Sequence, residues 1–405
     1  MLYYRYRPGT PLSMKELIYN EMYFSSVSEC NDPYEGQVFA EFEKNRDHWA
    51  KLINTALINS HVHSSSIRIS SSLTERIIDC CIELSPIDVN KFRSLNYDRF
   101  RVKAYIDEII PNNQLVDISP LYEAIDRIKH YIDIHLPPEQ YFVSFSKSHD
   151  NLLMWSHYAN NHKGYCLVFR PVGNKIMQDK CLMKKGFTFD TPQSHLSDGE
   201  ITFIIPEGFD LNDIEYINEQ IPPINAFALF PHVINPEHFS KAVDDAMNIA
   251  YRSYLRKHSA WKYEEETRLL LFKGVPQYFA NRTLSLSSHQ RLFHYDPSQL
   301  VGIILGAKMS SEQREQIQEI VKEKVTLLKT KSKEYWQQSD FVIFKARLLA
   351  DKIKIDINPV EIYTSEGVFN KTQNDFERLF DNWKRQNLWN SNDLNKEGEI
   401  IERPI

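Results

Sequence analysis

The stretch Tyr141-Phe142-Val143-Ser144-Phe145-Ser146 decides the reading of the fold. Side chains of a strand alternate faces, so Tyr141, Val143 and Phe145 form an apolar backing while Ser144 and Ser146 look the other way. Downstream, a helix is expected over about 151–160 and a strand over Tyr165 to Phe169. Upstream, Leu2 to Arg7 reads as an aromatic strand ended by Pro8-Gly9. Ser13 and Glu16 then have capping-box spacing for a helix through Ile18, and Met22-Tyr23-Phe24 reads as a short strand. Further on, the pattern predicts a strand at Ile201 to Ile205, a helix over Glu237 to His258 and an extended stretch from Trp261 to Phe272. Leu300 to Leu305 is an apolar strand, and Ser310 with Gln313 opens the helix of Ile317, Ile320 and Val321.

Between the two halves, residues 37–137 are polar, glycine-free and helical in period, as at Ile77, Ile78, Cys81 and Ile82. The expected organisation is an α+β core of 1–36 and 138–350, a helical insertion over 37–137 and a C-terminal extension over 351–405. The core is a mixed, mostly antiparallel sheet. In the extension, Phe376, Leu379, Phe380 and Trp383 follow the i, i+3, i+4, i+7 stripe of an amphipathic helix. Docking of that stripe on the body is the simpler reading, and a partner surface is the other.

Composition narrows the function classes. In 405 residues, Lys plus Arg is 48 and Asp plus Glu is 54, a net charge of −6, which disfavours attachment to nucleic acid by bulk charge. No apolar run approaches the ~20 residues of a bilayer span, and Met1-Leu2-Tyr3-Tyr4-Arg5 has no signal-peptide pattern; a cytoplasmic protein with no membrane partner is expected. There are 12 glycines, about 3% against a usual ~7%. Gly302 and Gly306 lack a third glycine, so Rossmann and Walker phosphate loops are not expected. Five cysteines without a C-x-x-C pair fit reduced thiols rather than disulfides or zinc, and His61 and His63 read as surface; no metal site is expected.

Three doublets carry the chemical signal: Arg5 and Arg7, Ser144 and Ser146, Glu264 and Glu266. Two residues apart on a strand, each pair shares a face, and together they suit one cleft over an apolar sheet. Guanidinium forks bind pyrophosphate, serines hydrogen-bond ribose, and a carboxylate stabilises an oxocarbenium-like transition state as a C–N glycosidic bond breaks. NAD cleaved at its nicotinamide bond is the matching substrate. Each pair has a plainer reading: a solvated edge strand for the arginines, ordinary strand serines, and an exposed charge run for Glu264-Glu265-Glu266. That run, however, enters a buried-type strand, Arg268-Leu269-Leu270-Leu271-Phe272. On the helix after Ser146, Trp155 reads as core. Tyr158 stacks on nicotinamide or adenine, or packs inside; His157 bonds ribose or Asn31/Asp32, or is a satisfied interior group. Asn31-Asp32-Pro33 reads as a turn. Lys257 and Arg268 are expected to pair with nearby carboxylates.

Several motifs resemble the bacterial domain-of-unknown-function family 2971. These are Leu2-Tyr3-Tyr4-Arg5-Tyr6-Arg7, Tyr23-Phe24-Ser25-Ser26 with Asn31-Asp32-Pro33-Tyr34, Val143-Ser144-Phe145-Ser146, and Leu153-Met154-Trp155-Ser156-His157-Tyr158 with His162-Lys163-Gly164-Tyr165-Cys166. Trp261 to Arg268, Asp296 to Leu300 and Ile304 to Ala307 complete the set, which covers roughly 1–36 and 140–350. The order of the doublets is also similar to ADP-ribosyltransferases of the arginine–serine–glutamate type. That second resemblance implies an ADP-ribosyltransferase-like core in which Arg5 or Arg7 binds the NAD phosphates and Ser144 and Ser146 support the nicotinamide-side ribose. Glu266 would be the catalytic carboxylate, and Glu264 would assist the acceptor. Phe145 stands where that family has threonine.

The leading expectation is an NAD-consuming ADP-ribosyltransferase or NAD glycohydrolase acting with an unknown macromolecular acceptor. Resemblance alone suggests a toxin or antiphage defence setting. A non-enzymatic protein- or nucleic-acid-binding module is the alternative, on the 12% aromatic content and the Phe376 to Trp383 stripe. A metal-dependent nuclease using Asp32, Glu35, Glu264 and Glu266 around magnesium is the third.

Overall fold

The computed structural model describes residues 1–32, 34–36, 39–60, 71–89, 128, 140–190, 200–219, 222–230, 233, 236–272, 286–331, 340–349, 351, 353–364 and 366–387. Eleven strands make one sheet: β1 (Tyr3–Arg7), β2 (Ser25–Ser26), β3 (Tyr141–Ser146), β4 (Tyr165–Phe169), β5 (Lys175–Met177), β6 (Gly208–Asp213), β7 (Glu266–Leu270), β8 (Leu300–Leu305), β9 (Phe341–Leu349), β10 (Lys354–Tyr363) and β11 (Val368–Asn370). Their order is β11-β10-β9-β8-β4-β1-β3-β7-β6-β5, with β2 added on β3. Neighbours are antiparallel except β8 and β9, which run parallel and are joined through a helix. The fold is therefore α+β on a mixed, mostly antiparallel sheet.

The central strands read as apolar runs because both faces are covered. Every residue of β4 and β8 is buried. On one face, α1 (Pro11–Ile18) and α6 (Ser311–Lys331) bring Met14, Leu17, Ile317, Val321 and Val325 onto Val143, Phe145, Leu167 and Ile303. On the other, α4 (Leu152–His157) and α7 (Phe376–Asn387) bring Met154, Trp155, Phe376, Leu379, Phe380 and Trp383 onto Tyr4, Tyr6, Val168 and Ile304. The stripe of α7 is thus docked on the sheet, and Trp383 Nε1–H donates to the Val301 carbonyl at 3.1 Å. A further cluster joins Phe42, Trp49, Ile53 and Ile78 to Phe227, Phe230, Ala246 and Ala250. It links α2 (Arg46–Ser60) and α3 (Ser71–Leu84) to α5 (Pro236–Ser253).

Four local readings change. The edge-strand reading of Arg5 and Arg7 fails: β1 lies between β4 and β3, and Arg5 is 8% exposed. Thr10, not Ser13, caps α1, because Pro11 can occupy the first turn without needing its missing N–H; Glu16 is freed for ion pairing. The stretch Trp261 to Phe272 is not one strand. Ser259–Glu264 is a 3₁₀ turn, Glu265 is left-handed at φ 46°, and only at Glu266 does β7 begin. Gln313 accepts half of its expected role: its backbone N–H bonds Ser310 Oγ at 3.2 Å, but its side chain donates to Gly9 O instead.

No helix among the described residues is long and apolar enough to cross a membrane. Cys30, Cys81, Cys166 and Cys181 are free thiols. His61 and His63 lie outside the described residues.

Candidate functional site

Sheet register sorts the expected site residues by face. Tyr4 stands opposite Ser146 across β1 and β3. Ser146 in turn stands opposite Glu266, and Ser144 opposite Arg268, across β3 and β7. Opposed residues of an antiparallel pair point the same way. Ser144, Ser146, Glu266 and Arg268 therefore share one face, and Arg5 and Arg7 lie on the other.

The arginines are engaged where they are. Arg5 pairs with Glu16 of α1, donates from Nη1 to Ser144 O at 2.9 Å and lies over the Phe145 ring at 5.7 Å. Arg7 also pairs with Glu16. The single cleft expected for both guanidiniums and both glutamates is not formed. Alternation put each pair on one face, but only strand register decides which pairs share it.

On the opposite face the acids gather. Glu264 is 3% exposed and Glu266 is 5% exposed, so the first and third acids of the run are not solvated surface, whereas Glu265 between them is exposed. The left-handed turn at Glu265 swings Glu264, on the 3₁₀ turn, back toward Glu266 on the strand. Both reach one ammonium: Lys257 Nζ lies 2.7 Å from Glu264 Oε2 and 3.1 Å from Glu266 Oε2. Arg268 holds Glu266 with two donors, Nε at 2.7 Å and Nη2 at 2.9 Å. It also pairs with Glu35, donates to Tyr254 O at 2.8 Å and stacks on Phe142 at 4.3 Å. The expected carboxylate partners of Lys257 and Arg268 are thus in place.

The electrostatics follow from burial and partners. Burial works against the Lys257 charge, but Glu266 and Glu264 overcome it and lift its pKa. Burial pushes the Glu266 carboxyl up, against the pull of Lys257, and Glu264 adds to the rise; hydrogen bonds from Ser144 and Lys257 oppose it. Tyr158 O–H donates to Glu264, accepts from Asn31 Nδ2 at 3.2 Å, and has its pKa raised by burial and by that carboxylate. Ser146 Oγ donates to Glu264 O at 2.7 Å, which pins the turn rather than a ligand.

Beside this cluster is a row of rings. Trp261 lies over Lys257 Nζ at 5.0 Å; Trp261 and Tyr263 centroids are 6.1 Å apart, Tyr263 and His157 6.2 Å, His157 and Tyr158 6.3 Å. His157 is exposed and the other three are half-buried. Trp155 is core, fully buried, as expected.

Sequence reasoning did not assign Tyr216, whose hydroxyl accepts from Glu266 N–H at 2.7 Å, or the role of Glu35 on Arg268. Both contacts span 50 or more residues, Tyr216 to Glu266 by 50 and Glu35 to Arg268 by 233, and no local pattern marks them. Asp32 is buried and its carboxylate accepts from Tyr34 N–H at 2.9 Å, the turn expected there.

Residues 154–269 match the family model described as Protein of unknown function (DUF2971). The chain is DUF2971-like. The stretch of this DUF2971-like chain that matches runs from α4 into β7, so it contains Tyr158, Lys257, Glu264, Glu266 and Arg268; Arg5, Arg7, Ser144 and Ser146 precede it. No curated protein and no solved structure matches the chain.

Proposed function

We propose that the chain is an enzyme that breaks the nicotinamide–ribose bond of NAD, as an ADP-ribosyltransferase or NAD glycohydrolase. The observation that carries this reading is the pairing of two buried carboxylates, Glu264 and Glu266, on Lys257, directly beside the ring row of Trp261, Tyr263, His157 and Tyr158. A flat nicotinamide stacks on such a row. As the C–N bond breaks, its electron pair leaves with the ring and neutralises the pyridinium. Glu266 stabilises the cation developing at the ribose carbon. Water or an acceptor hydroxyl then adds there and gives up its proton toward Glu264. The pyrophosphate does not lie on Arg5 and Arg7, which the sheet separates from the glutamates; this reading assigns it to Lys262, exposed between Trp261 and Tyr263.

The test is release of fluorescence from an etheno analogue of NAD by the purified chain, with water and with candidate acceptors. Glu266→Gln is expected to lower turnover by about 100-fold or more, and His157→Ala to raise KM with the thermal melt unchanged. A folded wild-type chain that turns over no analogue under any of these conditions ends the proposal.

One observation favours a second reading, a non-enzymatic binding module: Lys257 and Arg268 already occupy both carboxylates. Capture of a partner that survives Glu264→Gln and Glu266→Gln would select it. The nuclease expectation gains no support, since no group of three His, Cys, Asp or Glu side chains among the described residues is placed to hold a metal ion.

A further inference from the structure

The buried cluster beside the rings holds more acid than base. Glu35, Glu264, Glu266, Lys257 and Arg268 are all buried, none more than 6% exposed. Three carboxylates stand against two cations, and no ion pair or hydrogen bond joins the five to another Lys, Arg or His among the described residues. Glu35 makes the count uneven. It pairs with Arg268 and lies 3.8 Å from Lys257 Nζ, so it draws on both cations that hold Glu264 and Glu266. Packing fixes the turn that carries it. Glu35 N–H donates to Asp32 O at 3.2 Å, and Gly36 is left-handed at φ 59°. A Cβ on Gly36 would lie 2.7 Å from Val27 Cγ2 and 2.8 Å from Tyr254 Cε1. Pro33, Gln37 and Val38, next to this turn in the sequence, carry no charge. The other titratable groups facing the cluster do not restore the balance. Burial raises the pKa of Tyr158, Tyr216 and Tyr263, which keeps these phenols neutral, and brings the Cys30 thiol up to about 11. The buried Asp32 carboxylate also acts on Arg268 and deepens the surplus. Glu265 is exposed, and its charged neighbours are Asp150 and Lys147. The ring contacts of His157 are Tyr158 and Tyr263.

We infer that Glu35 is a positioning residue: its surplus charge makes the folded chain keep one proton among Glu35, Glu264 and Glu266 near neutral pH, and that proton gates the two acids used for catalysis. An uncompensated charge in the interior costs far more than binding a proton. The proton belongs to the coupled set rather than to one oxygen. Burial, the largest cause, raises Glu266 in the same sense. The gating rests on the NAD reading, in which Glu266 is ionised to stabilise the ribosyl cation and Glu264 is ionised to accept the proton of the attacking hydroxyl. Shared among three carboxyls, the proton leaves both acids ionised in only part of the population. Turnover therefore rises with pH as it departs. The charge surplus itself needs no substrate. A proton held more tightly in the folded state stabilises the fold below the unfolded glutamate pKa of ~4.3, and that contribution is lost as pH rises through the folded value.

The experiment compares the full wild-type chain with Glu35→Gln, which keeps the shape and an acceptor for Arg268 but not the charge, and with Glu35→Asp, which keeps the charge. In urea unfolding from about pH 4.5 to 7, Glu35→Gln is expected to gain stability relative to wild type as pH rises, because it has no surplus proton to lose. Glu35→Asp is expected to keep the wild-type pH dependence, whereas a purely structural role would lower both midpoints by an amount that pH does not change. Carboxyl-carbon NMR of glutamate needs no change in the cluster. Glu265→Gln, which removes the exposed acid of the run, is expected to retain a glutamate titrating well above ~4.3, and Glu35→Gln to lose it. With the etheno analogue of NAD, the acid limb of kcat is expected to move lower by about one pH unit or more in Glu35→Gln and to stay in place in Glu35→Asp. No elevated glutamate in Glu265→Gln, or a stability difference between Glu35→Gln and wild type that is constant with pH, overturns the inference. Turnover whose acid limb is the same in Glu35→Gln also overturns it, while the NAD reading stands. Absence of turnover in wild type ends the NAD reading and with it the gating; the NMR and urea measurements then decide the charge surplus alone.

Discussion

Lys324 is an ammonium in surroundings that disfavour charge. It sits on α6, donates to Leu17 O at 2.7 Å and to Asn20 Oδ1, and burial brings its pKa down to about 7. In the unfolded chain a lysine titrates near ~10.4. Below pH ~7 both states carry the proton and the full burial penalty applies. Between ~7 and ~10.4 the unfolded chain binds a proton that the folded chain lacks, so stability rises with pH through that window. At ~1.4 kcal/mol per unit, the rise is about 5 kcal/mol. Lys324→Met is expected to remove this slope in urea unfolding between about pH 6.5 and 9.5; parallel slopes for the two proteins would refute it. Nothing in the helical period of Ile317, Ile320 and Val321 distinguishes Lys324 from a solvated lysine. Its burial comes from α1, three hundred residues away in the chain, as the Lys324–Leu17 separation of 307 shows.

At the scale of elements, the end of β1, the start of β4 and the end of β8 are locked by close backbone contact. A Cβ on Gly306 would lie 2.2 Å from His162 O and 2.5 Å from Gly164 O, and one on Gly164 would lie 2.1 Å from Arg7 O. These obstacles are backbone, not flexible side chains. Gly306 N–H also donates to Gly164 O at 2.9 Å, so the strands cannot separate without losing it. Gly306→Ala is accordingly expected to cost about 2–3 kcal/mol, at the upper end of overpacking substitutions, measured as a lowered urea midpoint. An unchanged midpoint would mean that the crossing relaxes freely. The elements themselves were largely legible. The strand over Leu300–Leu305 lies where its apolar run places it, and the stripe of Phe376, Leu379, Phe380 and Trp383 forms α7. The break at Glu265 was not, because a single left-handed residue among three identical acids leaves no mark on periodicity.

For the whole molecule, the cluster around Phe42 and Trp49 matters most. Trp49 and Phe227 centroids are 5.2 Å apart, edge to face, and Phe42 touches Phe227 and Phe230. α2 and α3 thus share a core with the segment Ile224 to Leu229 and with α5. Trp49→Ala, a loss of about 3–5 kcal/mol of local stability, is expected to speed hydrogen exchange in residues 40–60 and 224–250 together, while β4 and β8 stay protected. Faster exchange confined to residues 40–60 would show that the two segments open separately.

The sequence by itself determined which residues alternate, which stripe is apolar and which pairs share a side of their own strand. Those properties repeat every 2 or 3.6 residues and need no partner. Only the tertiary structure decided that Arg5 and Arg7 face α1 while Ser144, Ser146 and Glu266 face the other way. Strand pairing has a period of two, so one residue of register between segments more than a hundred positions apart exchanges the faces, and no local pattern encodes that choice.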